Sequence, residues 1–265
     1  MLDTKPTRLV QLTDCHLFES EQGELLGLNT TYSLKKVLEL IKTEQTQAEL
    51  YLATGDLSQD GSISSYQRFL ALTSAFPAPL YCLPGNHDEM AALSQLQDSN
   101  TLAPNIINLD DWSVILLDST VPGKVPGYMS EAQLQFLDQA LESTQGQHVM
   151  VSLHHQPVKV GCKWLDHQII GNADALFNVL DRYSHIKALV WGHVHQDYEH
   201  TRNGVQLFST PSTCVQFKPH SEDFSVDDTA PGYRWFDLYP NGTIESRVSR
   251  VQNIQFDIDY AIKGY

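Results

Sequence analysis

The chain has 265 residues, 42% of them hydrophobic, enough to enclose the core of one large α/β domain or two small ones. Its 17 Lys and Arg stand against 32 Asp and Glu, a formal net charge of −15; so acidic a surface repels phosphate backbones and argues against nucleic-acid or anionic-membrane partners. No stretch has the length of a membrane helix, Met1–Arg8 lacks the apolar core of a signal peptide, and the 4 cysteines (Cys15, Cys82, Cys162, Cys214) show no C-x-x-C pairing, so reduced thiols and a cytoplasmic location are expected.

Apolar runs bounded by Gly, Pro and Asp read as strands, and runs with a 3.6-residue period between them read as helices. The first strand is Leu9–Leu12, followed by a helix that starts at Thr30 or Thr31 and places Leu34, Val37, Leu38 and Ile41 on one face. Strand Leu50–Ala53 precedes a second helical stripe of Ile63, Tyr66, Phe69 and Leu70, and strands Leu80–Leu83 and Val114–Leu117 follow. Ser130 with Gln133 makes a capping box ahead of Leu134, Leu137 and Leu141. After strand Val149–Leu153, Asn172 is placed to cap a helix carrying Leu176, Val179 and Leu180. Strands Ala188–Trp191 and Val205–Ser209 come next, then Tyr233–Tyr239 and Thr243–Val248 flank Pro240-Asn241-Gly242 as a hairpin.

Several of the strands are apolar on successive residues, as strands covered on both faces are. Strands alternating with helices and closed by a hairpin imply two packed sheets with helices outside. No repeat, low-complexity segment or linker interrupts the chain, so 1–252 are expected to form one domain and 253–265 a C-terminal tail.

Polar clusters end five of the apolar runs: Asp14-Cys15-His16, Gly55-Asp56, Gly85-Asn86-His87-Asp88, His154-His155 and Gly192-His193-Val194-His195. Any one of them is weak evidence; all of them in order, each directly after a strand, point to a metal site. Asp14 and His16 lie two apart, so on an extended backbone both leave the same side and one ion can take both. Asp56 offers two oxygens and can bridge two cations, which a His cannot do. Asn86 offers a neutral carbonyl oxygen, and a loop can aim His193 and His195 at different ions. Mixed nitrogen and oxygen donors without thiolate suit Mn²⁺, iron, Co²⁺ or Zn²⁺ rather than Ca²⁺ or Mg²⁺.

These motifs together resemble the signature of the calcineurin-like metallophosphoesterases, D-x-H, G-D, G-N-H-[DE], H, G-H-x-H, over nearly the whole length. The likeness narrows to the bacterial class III cyclic-nucleotide phosphodiesterases on Leu26-Gly27-Leu28-Asn29, Trp164-Leu165-Asp166, the run Thr210–His220, Pro231-Gly232-Tyr233-Arg234 and the terminal Gly264-Tyr265. It implies a four-layer αββα sandwich of two mixed β-sheets flanked by helices, the metallophosphoesterase fold, with a C-terminal hairpin. It also implies two divalent metal ions per chain, an Fe²⁺ or Mn²⁺ pair. The first would take Asp14, His16, Asp56 and His195, the second Asp56, Asn86, His154 and His193, with Asp56 bridging. Cys15 stands where the family commonly has Ser or Thr, and it points away from the ions.

The activity implied is hydrolysis of 3′,5′-cyclic AMP to 5′-AMP by a dinuclear centre with a bridging hydroxide, lowering cyclic AMP in the cell. Two dications bring four positive charges; the two Asp carboxylates remove two and a hydroxide one, leaving one to match a phosphodiester. His16, Asp56, Asn86, His87 and His195 would face the substrate, with His87 as the catalytic residue acting on the 3′ leaving oxygen and Asp88 orienting it. Cyclic AMP and AMP are thus the expected ligands. The alternatives are a metallophosphoesterase acting on another phosphodiester or a pyrophosphate, and a non-catalytic scaffold of the same fold. His155 is expected to be structural, Trp164 to be either core or a base-contacting lid, His167 to touch the pocket rim or not, and Lys159, Lys163 and Lys218 are the candidate basic groups near the site.

Overall fold

The computed structural model describes residues 5–96, 98, 101–252, 254, 258, 259, 262 and 264. Alternation along the strands decides how its layers stack. In β1 (Thr7–Leu12), Leu9 enters a cluster with Leu50, Leu52, Val114, Leu116, Met150 and Val190, while Val10 and Leu12 face the opposite way, against helices. The same alternation divides β4 (Leu50–Thr54): Leu50 and Leu52 point inward, Tyr51 and Ala53 outward. β7 (Trp112–Leu116) and β8 (His148–Ser152) answer from the other sheet, with Val114, Leu116 and Met150 inward and Ile115, Val149 and Val151 outward. Each fully buried Leu, Ile or Val side chain on these faces is worth about 1.5–3 kcal/mol of transfer free energy.

Two mixed sheets result. One has the order β15-β14-β1-β4-β5, with β5 Leu80–Leu83, β14 Gly232–Leu238 and β15 Ile244–Arg250. The other runs β10-β11-β9-β8-β7-β6, with β6 Asn105–Asn108, β9 Ile186–Trp191, β10 Tyr198–Arg202 and β11 Val205–Ser209. Helices α1 (Thr30–Glu44) and α2 (Ile63–Thr73) cover the first sheet, and α4 (Glu131–Ser143) and α5 (Ala173–Leu180) cover the second. This is the αββα sandwich of the sequence reading. A four-residue helix α3 (Met90–Leu93) and the two-residue ladders β2 (Glu24–Leu25) with β3 (Leu28–Asn29) and β12 (Gln216–Phe217) with β13 (Val226–Asp227) complete the described elements. The hairpin β14–β15 joins the first sheet because β14 pairs antiparallel with β1.

Local details differ from expectation where side chains found other partners. α1 starts at Thr30 as read from the sequence, but its cap is Asn29, whose side chain accepts from Tyr32 N–H. Ile63 opens α2 at 44% exposure and does not belong to its buried stripe. Ser130 does cap α4, but Gln133 turns its Oε1 to the Asp118 N–H instead of closing the box. Asn172 precedes α5 without a side-chain cap, because its amide exchanges two hydrogen bonds with the Met129 backbone.

All four cysteines are buried and free, and no helix among the described residues is long and apolar enough to cross a membrane. Of the tail, Ile254 and Ile258 pack against buried clusters and the Asp259 N–H donates to Leu26 O at 2.8 Å. Tyr265 of the terminal motif lies outside the described residues.

Candidate metal centre

β1, β4 and β5 run parallel in one sheet, and β7, β8, β9 and β11 run parallel in the other. In open parallel sheets, ligand sites form beyond the carboxyl ends of the strands. The loops leaving β1, β4, β5, β8 and β9 there carry the five polar clusters, and they are tied together within and between sheets. Asp14 N–H donates to Gly55 O at 2.9 Å, His16 N–H to Asp56 O at 2.9 Å and Gly192 N–H to His154 O at 3.1 Å. Across the sandwich, the His193 N–H reaches both Asp14 carboxylate oxygens at 3.1 Å.

The loops turn sharply. Asp14, His16, Asp56, His193 and His195 all have positive φ, between 47° and 64°, and they are five of the eight non-glycine residues in that region among those described. A left-handed backbone is unfavourable for residues with a Cβ, and such strain gathers at functional sites where the surroundings over-determine it. Asp14 and His16 therefore converge by left-handed turns, not by the extended-strand geometry expected from their spacing. The close approach also needs Gly85, where a Cβ would overlap the Asp56 carboxylate.

Ligand-capable atoms of Asp14, His16 and His195 lie within 4.8 Å of one another, as do those of Asp14, Asp56 and His154 and those of His16, Asp56 and His87. His193 groups instead with His154 and His155, so the two histidines of Gly192-His193-Val194-His195 serve different halves of the cluster, as the sequence suggested. Asp56 Oδ1 accepts from the His87 N–H at 2.9 Å. Its Oδ2 lies 3.3 Å from His154 Nε2 and 3.8 Å from His16 Nε2, one histidine from each half.

Hydrogen bonds fix how the rings present themselves. His16 Nδ1–H donates to Gln59 Oε1 at 2.6 Å, His154 Nδ1–H to Thr54 O at 2.8 Å and His195 Nδ1–H to Val215 O at 2.8 Å. Partners of this kind set the tautomer of metal-binding histidines and aim Nε2. With both Nδ1 atoms engaged, the Nε2 atoms of His16 and His195 face each other 3.1 Å apart, a contact that a shared proton or a cation relieves. Asp56 Oδ2, Asn86 Oδ1, His154 Nε2 and both ring nitrogens of His193 are buried without a hydrogen-bond partner. Polar atoms so placed are costly unless satisfied, and a nitrogen and oxygen donor set of this composition fits divalent transition ions.

The electrostatics agree. Burial opposes ionisation of Asp56, yet His154, His87 and His16 hold its carboxyl well below the usual range. Burial likewise opposes Asp14, and His195 outweighs it. Burial lowers His16 to about 3, whereas at His154 the Asp56 and Asp14 charges overcome burial and hold it up at about 9. The cluster attracts positive charge at its Asp56–His154 centre.

A cavity of about 500 Å³ opens beside the cluster, lined by Asn86 and His87, by Gln59–Gly61, by Glu89 and Met90, and by Thr120–Gly123. No Lys or Arg lines it, and Asp60, Asp88 and Glu89 do. Lys159, Lys163 and Lys218 therefore do not serve it, and His167, in a 3₁₀ turn over Leu165–His167, is not on its wall.

The contacts of three other residues near the cluster show what each supports. Asp88 sits between two of the site's loops. Its carboxylate accepts from the backbone N–H groups of Leu57, Ser58 and Gly85 and from Tyr66 OH, clamping the loop after β4 to the loop after β5. Trp164, half-buried, packs edge-on against Phe217 and Phe224, and Phe217 stacks on His195 at 4.2 Å and 13°. His155 is structural, as expected, but β8 ends before it, so no strand turns it away. Gln59, the Thr54 and Val215 carbonyls, Phe217 and the Asp88 clamp were not legible as site residues, because they act through contacts distant in sequence.

The sequence profile of the calcineurin-like phosphoesterases matches residues 7–197. The chain belongs to the calcineurin-like phosphoesterase family. Within it, the chain is 44% identical over 257 residues to the 3′,5′-cyclic adenosine monophosphate phosphodiesterase CpdA of Pseudomonas aeruginosa, covering 97% of this chain and 94% of that protein. The CpdA of Escherichia coli K12 is 43% identical over 260 residues, with 97% and 94% covered. A 3′,5′-cyclic-nucleotide phosphodiesterase of Nostoc is 34% identical, with 95% of each covered. Among solved structures of similar fold, a dimetal phosphatase from Danio rerio superposes with TM-score 0.67 at 17% identity, covering 94% of this chain and 100% of that one. A purple acid phosphatase from yellow lupin gives 0.69 at 14%, covering 97% and 53%. At these identities the structures show a shared fold.

Proposed function

We propose that this calcineurin-like phosphoesterase hydrolyses 3′,5′-cyclic AMP to 5′-AMP in the cytoplasm, with residues 1–252 acting as one catalytic unit. Two divalent cations, Fe²⁺ or Mn²⁺, are held by Asp14, His16, Asp56 and His195 and by Asp56, Asn86, His154 and His193. The reading is carried by one observation: Asp56 Oδ2, Asn86 Oδ1, His154 Nε2 and both His193 ring nitrogens are buried without hydrogen-bond partners in a cluster of Asp and His beside a cavity that has no Lys or Arg. A phosphodiester in so acidic a cavity needs cations to balance it. The full-length likeness to CpdA enzymes supports cyclic AMP as the substrate.

Bound there, the metal pair would supply a hydroxide nucleophile at neutral pH and positive charge for the phosphate. The chain's own residues do the rest. Gln59, Thr54 and Val215 hold three imidazoles in the tautomer that presents Nε2. Phe217 fixes the plane of His195. His87, partly exposed on the cavity wall with its N–H on Asp56, is positioned to give a proton to the departing 3′ oxygen while the 5′ ester stays intact.

The test is to reconstitute the protein with Mn²⁺ or Fe²⁺ and assay cyclic AMP, cyclic GMP, 2′,3′-cyclic AMP and an aryl phosphodiester side by side. Cyclic AMP should give 5′-AMP, with the label on phosphorus when the reaction runs in ¹⁸O water. Mainly 3′-AMP would invert the substrate orientation. No turnover of cyclic AMP by the metal-loaded protein would leave a phosphoesterase with a different substrate.

A further inference from the structure

We infer that His155 is a positioning residue that fastens the 119–128 loop, one wall of the cavity, to the metal cluster, and so governs how tightly the nucleoside end of the substrate is held. The kinetic part of this inference rests on the cyclic-nucleotide reading; the fastening does not.

His155 is fully buried and engages both ring nitrogens. Nε2–H donates to Val125 O at 2.9 Å, and a carbonyl can only accept. Nδ1 then accepts from Ser119 Oγ–H at 2.8 Å, while the same Oγ accepts the His155 backbone N–H at 3.2 Å. With both nitrogens spoken for, His155 is not a metal ligand, although its ring lies 4.9 Å from that of His154 and 4.7 Å from that of His193.

The residues it grips are the two arms of one loop. Tyr128 N–H closes the base on Ser119 O at 2.9 Å, and Gly171 N–H holds Gly127 O at 2.9 Å. Gly127 presses on the imidazole so closely that a Cβ there would lie 2.6 Å from its Cγ. Between the anchors, Pro122 to Pro126 are exposed, and the span closes on itself by a turn from Lys124 N–H to Val121 O at 2.9 Å. An exposed stretch with little hydrogen bonding of its own takes its conformation from its anchors. Thr120 to Gly123 line the cavity together with Gln59–Gly61, Asn86 and His87. One imidazole thus connects the cluster that would hold phosphate to the wall that would meet the rest of the nucleotide.

Two variants of the full, metal-reconstituted chain test this. His155→Phe keeps the buried ring and loses both side-chain hydrogen bonds; Ser119→Ala removes the hydroxyl and leaves the Val125 anchor. In His155→Phe, KM for cyclic AMP should rise roughly five- to tenfold with kcat within about twofold, the size expected for lost hydrogen bonds used in ground-state binding. KM for a small aryl phosphodiester should hardly move, and metal content should match the parent. Trypsin should cut faster after the exposed Lys124. Ser119→Ala should shift each readout in the same direction by less, and it carries the test if His155→Phe does not fold. Unchanged cleavage at Lys124 would overturn the fastening. A fall in kcat or in metal content with KM unchanged would overturn it too, placing His155 in the metal centre. If the parent fails on cyclic AMP, the substrate reading falls, while cleavage and metal content still decide the fastening.

Discussion

Asp56 is the residue on which both halves of the cluster turn. Its Oδ2 neighbours a histidine from each, and its Oδ1 is occupied by the His87 N–H. Replacing it with Ala removes the shared oxygen, so Asp56→Ala is expected to lose both cations, and Asp14→Ala chiefly the one associated with His16 and His195. Elemental analysis of the purified variants checks this, and full metal content in Asp56→Ala would contradict the bridging role. His87 differs: its ring stands at the edge of the cluster, near His16 and Asp56, and also lines the cavity. His87→Ala should keep its metals and lose roughly 10²-fold or more in kcat on cyclic AMP. The loss should shrink on an aryl phosphodiester, whose leaving group needs no proton; an equal loss on both would make His87 an orienting group for Asn86 or the phosphate.

At the scale of elements, the site is a set of loops made rigid by one another. Left-handed residues after β1, β4 and β9 store backbone strain, and strain persists only where surrounding bonds over-determine it. Asp88 supplies three of those bonds to backbone N–H groups and a fourth to Tyr66 OH, although burial and the Asp56 charge push its carboxyl up to about 7. Asp88→Asn would turn an NH₂ toward donors that need an acceptor. It should destabilise the protein by about 2 kcal/mol or more, a fall of roughly 4–8 °C in melting temperature for a chain of this size. Metal retention should weaken with it, because the loops bearing Asp56 and Asn86 lose their common anchor. A thermal melt and a metal titration of the same variant would show whether the two effects travel together.

For the whole molecule, the two sheets share one buried core, and the Asp and His cluster lies where loops from both meet. Cations held there would bind the folded state and not the unfolded chain, so they act as a clasp between the sheets. At about a hundred times the dissociation constant, a ligand of this kind adds roughly 2.7 kcal/mol, or about 5–10 °C in melting temperature. Stripping the protein with a chelator should lower the melting temperature by that order, and Mn²⁺ or Fe²⁺ should restore it. No change on stripping would mean that the cluster does not hold cations under those conditions.

The sequence by itself determined the layers and the chemical inventory of the site. Doubly apolar strands, helical stripes and the Pro240-Asn241-Gly242 turn are local patterns, and they reappear as two mixed sheets, outer helices and the β14–β15 hairpin. Asp14, His16, Asp56, His154, His193 and His195 were legible because each ends an apolar run, and the fold brings every one of them into the cluster. What only the tertiary structure decided is who supports whom. Asp88 is a loop clamp because Leu57, Ser58 and Tyr66 arrive beside it from other elements. Trp164 backs Phe217 across more than fifty positions of chain, and Phe217 backs His195 across more than twenty. The sharp left-handed turns that gather the candidate ligands were equally out of reach, since a non-glycine residue adopts positive φ only when distant contacts impose it. Patterning is written into neighbouring residues, whereas hydrogen-bond partners and imposed strain are properties of surfaces that meet only after the two sheets pack.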